Sequence, residues 1–287
     1  MTTTSWVPVP ADSPFPVQHL PYGVFSRDDE RPRVGVAIGA YLLDLAPLAA
    51  SEWADFASVF DAPTLNPFLS LGPEAWQAVR QWLVARLTDE TFRDLVEPGL
   101  VPLDQVRLHM PFEVADFVDF YASEHHATTM GRLLRPGSPP LLPHWRHLPV
   151  GYHGRSGTVV MTGTPVVRPC GQRRTAPDAP ATYGPTAKLD IEAEVGFVVG
   201  KPSPLGSSVA VEDFTDHVFG VVLLNDWSAR DFQAWEGQPL GPFTAKSFLT
   251  SISAWVTPLA ALDAARIPRP VQDPEPADYL SGKDFGL

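Results

Sequence analysis

The sequence predicts an α+β protein, mostly β, made of a small β-rich unit over residues 1–115 and a second unit over 116–287. Three observations carry this expectation. A chain of 287 residues exceeds a typical single domain. Its apolar runs are short and separated by irregular loops, with few helical stretches between them. The regular alternation of strand and helix that a doubly wound α/β fold requires is missing.

In the first unit, Pro8 to Pro21 reads as an extended arm. Two β-like runs follow, Tyr22 to Phe25 and Val34 to Ile38, joined by the charged turn Arg27 to Arg31. Pro73 to Leu87 reads as a helix. Pro73 takes its first position, Glu74 its first turn, and Trp76, Val79, Leu83 and Leu87 follow helical spacing. No chemical motif appears in this unit, so its role reads as structural.

In the second unit a helix is expected over Phe120 to Leu134, stopped by Pro136-Gly137. A loop rich in Pro, Gly and His covers Pro139 to Gly157. Strands are expected over Thr158 to Thr162, Lys188 to Val199 and His217 to Leu224. A short helix lies between Ser228 and Trp235, and its Ser228-Ala-Arg-Asp231 resembles a capping box.

A net charge of −12 argues against a nucleic-acid partner, which needs a basic face. Cys170 is the only cysteine, so no intrachain disulfide can form, as suits a reducing compartment. Met1 to Pro21 has neither the basic nor the apolar region of a signal peptide, and runs such as Val218 to Leu224 are too short to span a bilayer. These features predict a cytoplasmic protein without membrane contact. Dinucleotide, triphosphate, nucleophile-elbow and zincin motifs are absent from the sequence.

The chemistry-bearing residues start with Asp190-Ile-Glu192-Ala-Glu194, three acids spaced two apart inside the apolar segment Leu189 to Val199. A strand alternates faces, so all three carboxylates share one face, with Leu189, Ile191, Ala193, Val195, Phe197 and Val199 on the other. Nothing basic interleaves. Either that face is open to water or it holds a cation, and oxygen-only ligands suit Mg²⁺ or Ca²⁺ better than zinc. Asp119 and His126, seven apart, would share one face of a helix; the plainer alternative makes Asp119 a helix cap. Asn225-Asp226-Trp227 ends an apolar strand, where an acid suits either a metal ligand or a turn. Lys246 lies in a mostly uncharged stretch and reads either as an oxyanion stabiliser or as a partner of Glu192, Glu194 or Asp226. Tyr152-His-Gly-Arg155-Ser-Gly is a polar loop that could hold a small acidic ligand or be a plain turn. His125, His144, His147 and His153 make no spaced zinc set.

Taken in order, Asp119-Phe-Tyr121-Ala-Ser-Glu-His-His126-Ala-Thr, His147-Leu-Pro-Val-Gly-Tyr152-His-Gly-Arg155, Leu189-Asp-Ile-Glu192-Ala-Glu194, Leu224-Asn-Asp226-Trp-Ser-Ala-Arg230-Asp-Phe-Gln233 and Pro239-Leu-Gly-Pro-Phe-Thr-Ala-Lys246-Ser-Phe closely resemble the fumarylacetoacetase family. The resemblance runs from about Pro14 to about Leu280. It implies a small N-terminal SH3-like β domain, a C-terminal mixed β-roll and a homodimer. It also implies hydrolysis of a carbon–carbon bond, splitting 4-fumarylacetoacetate into fumarate and acetoacetate in tyrosine and phenylalanine breakdown. By resemblance Asp119, Glu192, Glu194 and Asp226 would bind Mg²⁺ or Ca²⁺, with Lys246 and Thr250 completing the metal site. His126 would activate water, Arg135, Gln233 and Lys246 would stabilise the oxyanion, and Tyr121 and Tyr152 would hold substrate, as would Arg135 and Gln233.

Two departures qualify these implications. Gly237 stands where animal members have a substrate-contacting tyrosine. Family members also continue beyond Asp284 to Leu287, with strands, a glutamate that orients the histidine and a threonine that contacts substrate. The resemblance therefore implies an incomplete roll and little or no activity for this chain by itself. The alternatives are an acylpyruvate hydrolase or decarboxylase-like member, and a non-catalytic metal-binding fragment.

Overall fold

The structure, a computed structural model, describes residues 4–176, 178–268 and 270–282. The C-terminal Asp284 to Leu287, beyond which the resemblance expects more strands, lie outside the described residues. The fold mixes α and β, with strand-rich sheets.

Strands β1 (Tyr22–Ser26), β2 (Arg33–Ile38), β3 (Tyr41–Asp44), β4 (Leu100–Pro102) and β5 (Arg107–His109) form an antiparallel sheet in the order β4-β3-β2-β1-β5. The two runs expected from the sequence are its β1 and β2, in the register Tyr22↔Val36. Helices α1 (Leu45–Glu52), α2 (Ala54–Phe60), α3 (Asn66–Leu69), α4 (Pro73–Thr88) and α5 (Arg93–Val96) accompany it. Helix α4 matches the expected span. Gly72, at φ +84°, turns the chain into it, Pro73 starts it, and Trp76, Val79, Leu83 and Leu87 form its buried stripe. Helices α1 and α2 lack a clear period in sequence; α1 begins where the Asp44 carboxylate accepts from the Ala46 N–H.

The remaining strands are β6 (Val118–Phe120), β7 (Gly151–His153), β8 (Val159–Met161), β9 (Cys170–Arg173), β10 (Thr182–Pro185), β11 (Leu189–Val199), β12 (Val218–Ala229), β13 (Thr250–Ile252) and β14 (Thr257–Pro258). Helices α6 (Glu124–Leu134), α7 (Phe214–His217) and α8 (Arg230–Glu236) lie among them. One sheet runs β11-β12-β13-β8, with β14 also on β12; β13 and β8 pair in parallel. β6 with β7, and β9 with β10, are two-stranded ribbons.

Three local expectations are corrected. The segment from Phe120 is not helical throughout: Val118–Phe120 is a strand whose Asp119 faces Tyr152 of β7, and α6 starts at Glu124. Ser123 sets that start, its Oγ accepting from the His126 N–H at 3.3 Å. Strand β12 does not stop before Asn225-Asp226 but continues to Ala229, because the ladder to β11 persists through Glu192↔Asp226 and Leu189↔Ala229. The Ser228 capping box does not form. Ser228 donates to the Asp226 carbonyl, and Asp231 is engaged by Thr186 and the Ala187 N–H.

One core joins the first sheet to β11 and β12. Val198, Phe219, Val222 and Leu224 are buried with Tyr22, Phe68 and Trp76. The Phe219 ring meets those of Tyr22, Phe68 and Trp76 at 5.3–5.6 Å between centroids. Paired backbone hydrogen bonds between Tyr22 and Val256 tie β1 to the segment just after β13.

The face of β11 and β12 that meets this core carries Val198, Val222 and Leu224 at one end and Glu194, Glu192 and Asp226 at the other. The acidic face is therefore turned into the molecule. The apolar face is the outer one: Ile191 and Val195 are 55% exposed, Phe197 50% and Leu223 73%.

Phe219→Ala is expected to destabilise the protein by about 3–5 kcal/mol, since it empties the position where three rings meet. Equilibrium urea unfolding checks this, and a loss below about 1 kcal/mol would show that the shared core does not depend on this ring.

Candidate active site

Glu192 and Asp226 stand directly opposite each other on β11 and β12. Facing carboxylates on neighbouring strands repel. Lys246 resolves this: its Nζ donates to Glu192 Oε2 and, at 2.7 Å, to Asp226 Oδ2. The lysine is 4% exposed, so its mostly uncharged stretch delivers it to two acids inside the molecule. The loop carrying it is held by Glu236, which accepts from the N–H groups of Phe243 and Ala245 and from the Thr244 hydroxyl, each at 2.7 Å.

Two arginines complete the charge pattern. Arg230, at the start of α8, reaches Glu192 Oε1 at 2.7 Å, Asp190 Oδ2 at 2.8 Å and Gln233 Oε1 at 3.0 Å. Arg155 donates to Asp119 Oδ2 at 2.8 Å and Asp226 Oδ2 at 2.7 Å. Neither belonged to the site set read from the sequence. Both lie inside the motifs that carry the resemblance, and Arg155 also lies in the polar loop that could hold a small acidic ligand.

Glu192, Glu194 and Asp226 each present a carboxylate oxygen, and those oxygens lie within 4.8 Å of one another. Asp119 is not one of that trio but is linked to Asp226 through Arg155. Thr250 is buried on β13 opposite Asp226 and accepts from Arg155 Nε at 3.2 Å. His126, on α6, brings Nε2 to 3.2 Å from Glu192 Oε1, and its ring meets Tyr121 edge-on. Because Asp119 lies on β6, the two do not share a helix face; His126 meets the acid cluster through Glu192. The Tyr152 hydroxyl accepts from Arg155 Nη1 at 2.6 Å, and that of Tyr121 donates to the Ala127 carbonyl at 3.2 Å. Gln233 reaches the cluster through Arg230. Arg135 donates to the Pro140 carbonyl at 2.8 Å, leaving its buried Nε without a partner.

The acids titrate apart. Burial alone would raise Glu192, but Lys246 and then Arg230 outweigh it and hold the carboxyl down at about 2. Burial lifts Asp226 to about 6 against the pull of Lys246 and Arg155. Glu194 is pushed up to about 7 by burial and by the charges of Asp119, Asp226 and Glu192. Asp226 Oδ1 is buried and has no hydrogen-bond partner. A trio of carboxylates with an unsatisfied buried oxygen and an acid reluctant to ionise fits a divalent cation with oxygen ligands.

The chain is similar to known proteins over most of its length. Residues 18–111 match the family described as Fumarylacetoacetase N-terminal, and residues 116–271 match Fumarylacetoacetate (FAA) hydrolase C-terminal. The chain is 45% identical to human fumarylacetoacetase over 288 residues, covering 96% of this chain and 68% of that protein. It is 44% identical to the Caenorhabditis elegans fumarylacetoacetase, covering 98% and 70%, and 40% identical to that of Arabidopsis thaliana, covering 98% and 69%. Among solved structures, the fumarylacetoacetate hydrolase of psychrophilic Exiguobacterium antarcticum shares the fold, with a TM-score of 0.50 at 19% identity over 86% of this chain and 69% of that one. The chain belongs to the fumarylacetoacetate hydrolase family.

The pH dependence of stability follows from Glu194 and Asp226. Each folded-state value lies above the ordinary one, so each group's contribution is complete below about pH 4 and is lost as pH rises through about 6 to 7. The melting temperature of protein freed of divalent ions is therefore expected to fall between pH 5 and 8, and Glu194→Gln to remove much of that fall. A profile unchanged by Glu194→Gln would contradict the strained ionisation of this acid.

Proposed function

We propose that the chain hydrolyses the carbon–carbon bond of 4-fumarylacetoacetate to fumarate and acetoacetate, as a step of tyrosine and phenylalanine catabolism. The observation that carries this reading is the meeting of His126 with the carboxylate trio through Glu192. A general base beside an oxygen-ligand cation site is what hydrolysis of a 1,3-diketone needs.

In this reading Glu192, Glu194, Asp226 and Asp119 hold Mg²⁺ or Ca²⁺, with Lys246 and Thr250 completing the surroundings. The hard, oxygen-only donor set and the unsatisfied Asp226 Oδ1 support that choice. A cation held there would supply Lewis-acid polarisation to a diketone and offset negative charge on its leaving group. His126 takes the proton of the attacking water, and Glu192 stabilises the imidazolium so formed. Lys246 supplies positive charge next to the two facing acids, and with Arg135 and Gln233 it stabilises the oxyanion. Tyr121 and Tyr152 hold the substrate. Burial raises both phenols above their ordinary range, so both act as neutral hydrogen-bonding groups.

The division of the chain near residue 115, with an SH3-like first unit and a β-roll second one, belongs to the same reading. So does a homodimer, supported by the exposed apolar row of Ile191, Val195, Phe197 and Leu223 on the outer sheet face. No helix among the described residues is long and apolar enough to cross a membrane. A single cysteine suits the reducing cytoplasm.

His126→Ala is expected to lower turnover of fumarylacetoacetate, followed by its loss of absorbance, by about 10²- to 10⁴-fold. His125→Ala should leave it nearly unchanged, because His125 is exposed on another face of α6. The reverse ranking would overturn the assignment of the base. Faster turnover of a simple acylpyruvate than of fumarylacetoacetate would replace the proposed substrate.

A further inference from the structure

Arg155 is held in a way that the reading above leaves without a role. Its backbone is left-handed, at φ 46° and ψ 21°, a region that favours glycine, although glycines stand close by at 154 and 157. Its side chain is 2% exposed. The guanidinium lies 4.8 Å from the centre of the Phe117 ring and 5.5 Å from that of Tyr152. Nε donates to Thr250 Oγ1 at 3.2 Å and Nη1 to the Tyr152 hydroxyl at 2.6 Å. Nη2 alone serves two carboxylates, Asp119 Oδ2 at 2.8 Å and Asp226 Oδ2 at 2.7 Å.

These partners come from four different strands: β6, β7, β12 and β13. The sheet holding Asp226 and Thr250 shares no backbone ladder with the β6–β7 ribbon holding Asp119 and Tyr152. Arg155 spans that gap. It draws the Oδ2 atoms of both aspartates onto one nitrogen, and Asp226 is left with Oδ1 buried and unpartnered. A rigid planar fork can fix several acceptors at once, whereas an ammonium offers a single point charge.

We propose that Arg155 is a positioning residue for the cation site: it locks Asp119, Tyr152, Asp226 and Thr250 into one arrangement and, by engaging Asp226 through Oδ2, leaves Asp226 Oδ1 free for the cation. This rests on the divalent-cation reading above. It also carries a sign that separates it from a plain charge effect. On Coulomb terms alone, deleting a positive charge beside the acids should tighten binding of a divalent ion. Loss of the lock should weaken it.

The test is calorimetric titration of Mg²⁺, repeated with Ca²⁺, into the full chain and into Arg155→Met, Arg155→Lys and Arg155→Ala, each checked for folding by circular dichroism. The expected result is binding at least tenfold weaker in Arg155→Met and also in Arg155→Lys, which keeps the charge but not the fork. Millimolar methylguanidinium should restore part of the affinity to Arg155→Ala but none to Glu192→Gln. Tighter or unchanged binding in Arg155→Met with a normal wild type overturns the positioning role alone. If the neutral variants fail to fold, Arg155→Lys decides: wild-type affinity there shows that charge suffices and overturns the proposal. A wild type that binds neither ion removes the cation reading and this inference together.

Discussion

Glu192 and Asp226 face each other across β11 and β12, and the positions of most other site residues answer that one juxtaposition. Two buried carboxylates at adjacent ladder positions repel unless positive charge is brought between or beside them. Lys246 does so from a loop tied down by Glu236, Arg230 from the start of α8, and Arg155 from a left-handed loop position. His126 then meets the cluster at Glu192, which already has two cationic partners. What remains is an imbalance concentrated on Glu194, with one unsatisfied oxygen on Asp226. Fixed cations thus order the acids without satisfying them, and the shortfall is of the kind a further cation removes.

The scaffold makes this possible by using one sheet face for two purposes. Along β12 the inward positions pass from Val222 and Leu224 to Asp226 and Ser228. The apolar end is clamped by Phe219 against Tyr22, Phe68 and Trp76, and by the Tyr22–Val256 hydrogen bonds. At the polar end Lys246 meets Asp226 from its loop, and Arg155 links Asp226 to Asp119 of the β6–β7 ribbon. A packed aromatic core holds backbone positions closely, and the core shared by the first sheet, its helices and β12 lies on the same sheet face as the acids.

Much of this was legible in the sequence, for physical reasons that differ from element to element. The spacing of Asp190, Glu192 and Glu194 could only put three acids on one strand face, and Pro73 with the apolar stripe of α4 could only start a helix there. Lys246 in an apolar stretch had to find an acid, and it found two. What failed were elements whose form is decided at a distance. A three-residue strand at Val118–Phe120 has too few residues to show a period, and β7 decides it. The apolar run of β12 ends at Leu224, where Asn225 and Asp226 suit a strand end, yet the ladder to β11 carries the strand through to Ala229. Arg155 was the least legible, because its carboxylate and hydroxyl partners Asp119, Asp226 and Thr250 lie 36, 71 and 95 residues away. No local pattern can announce a contact of that separation.

That the inward acid face is organised to receive a divalent ion is tested most directly by anomalous diffraction from crystals soaked in Mn²⁺, a probe with the same preference for oxygen ligands. The expected result is a single strong peak among Glu192, Glu194 and Asp226, with Asp226 Oδ1 among its ligands. Crystals saturated with Mn²⁺ that show no peak there, or a peak whose ligands exclude Asp226, would contradict it.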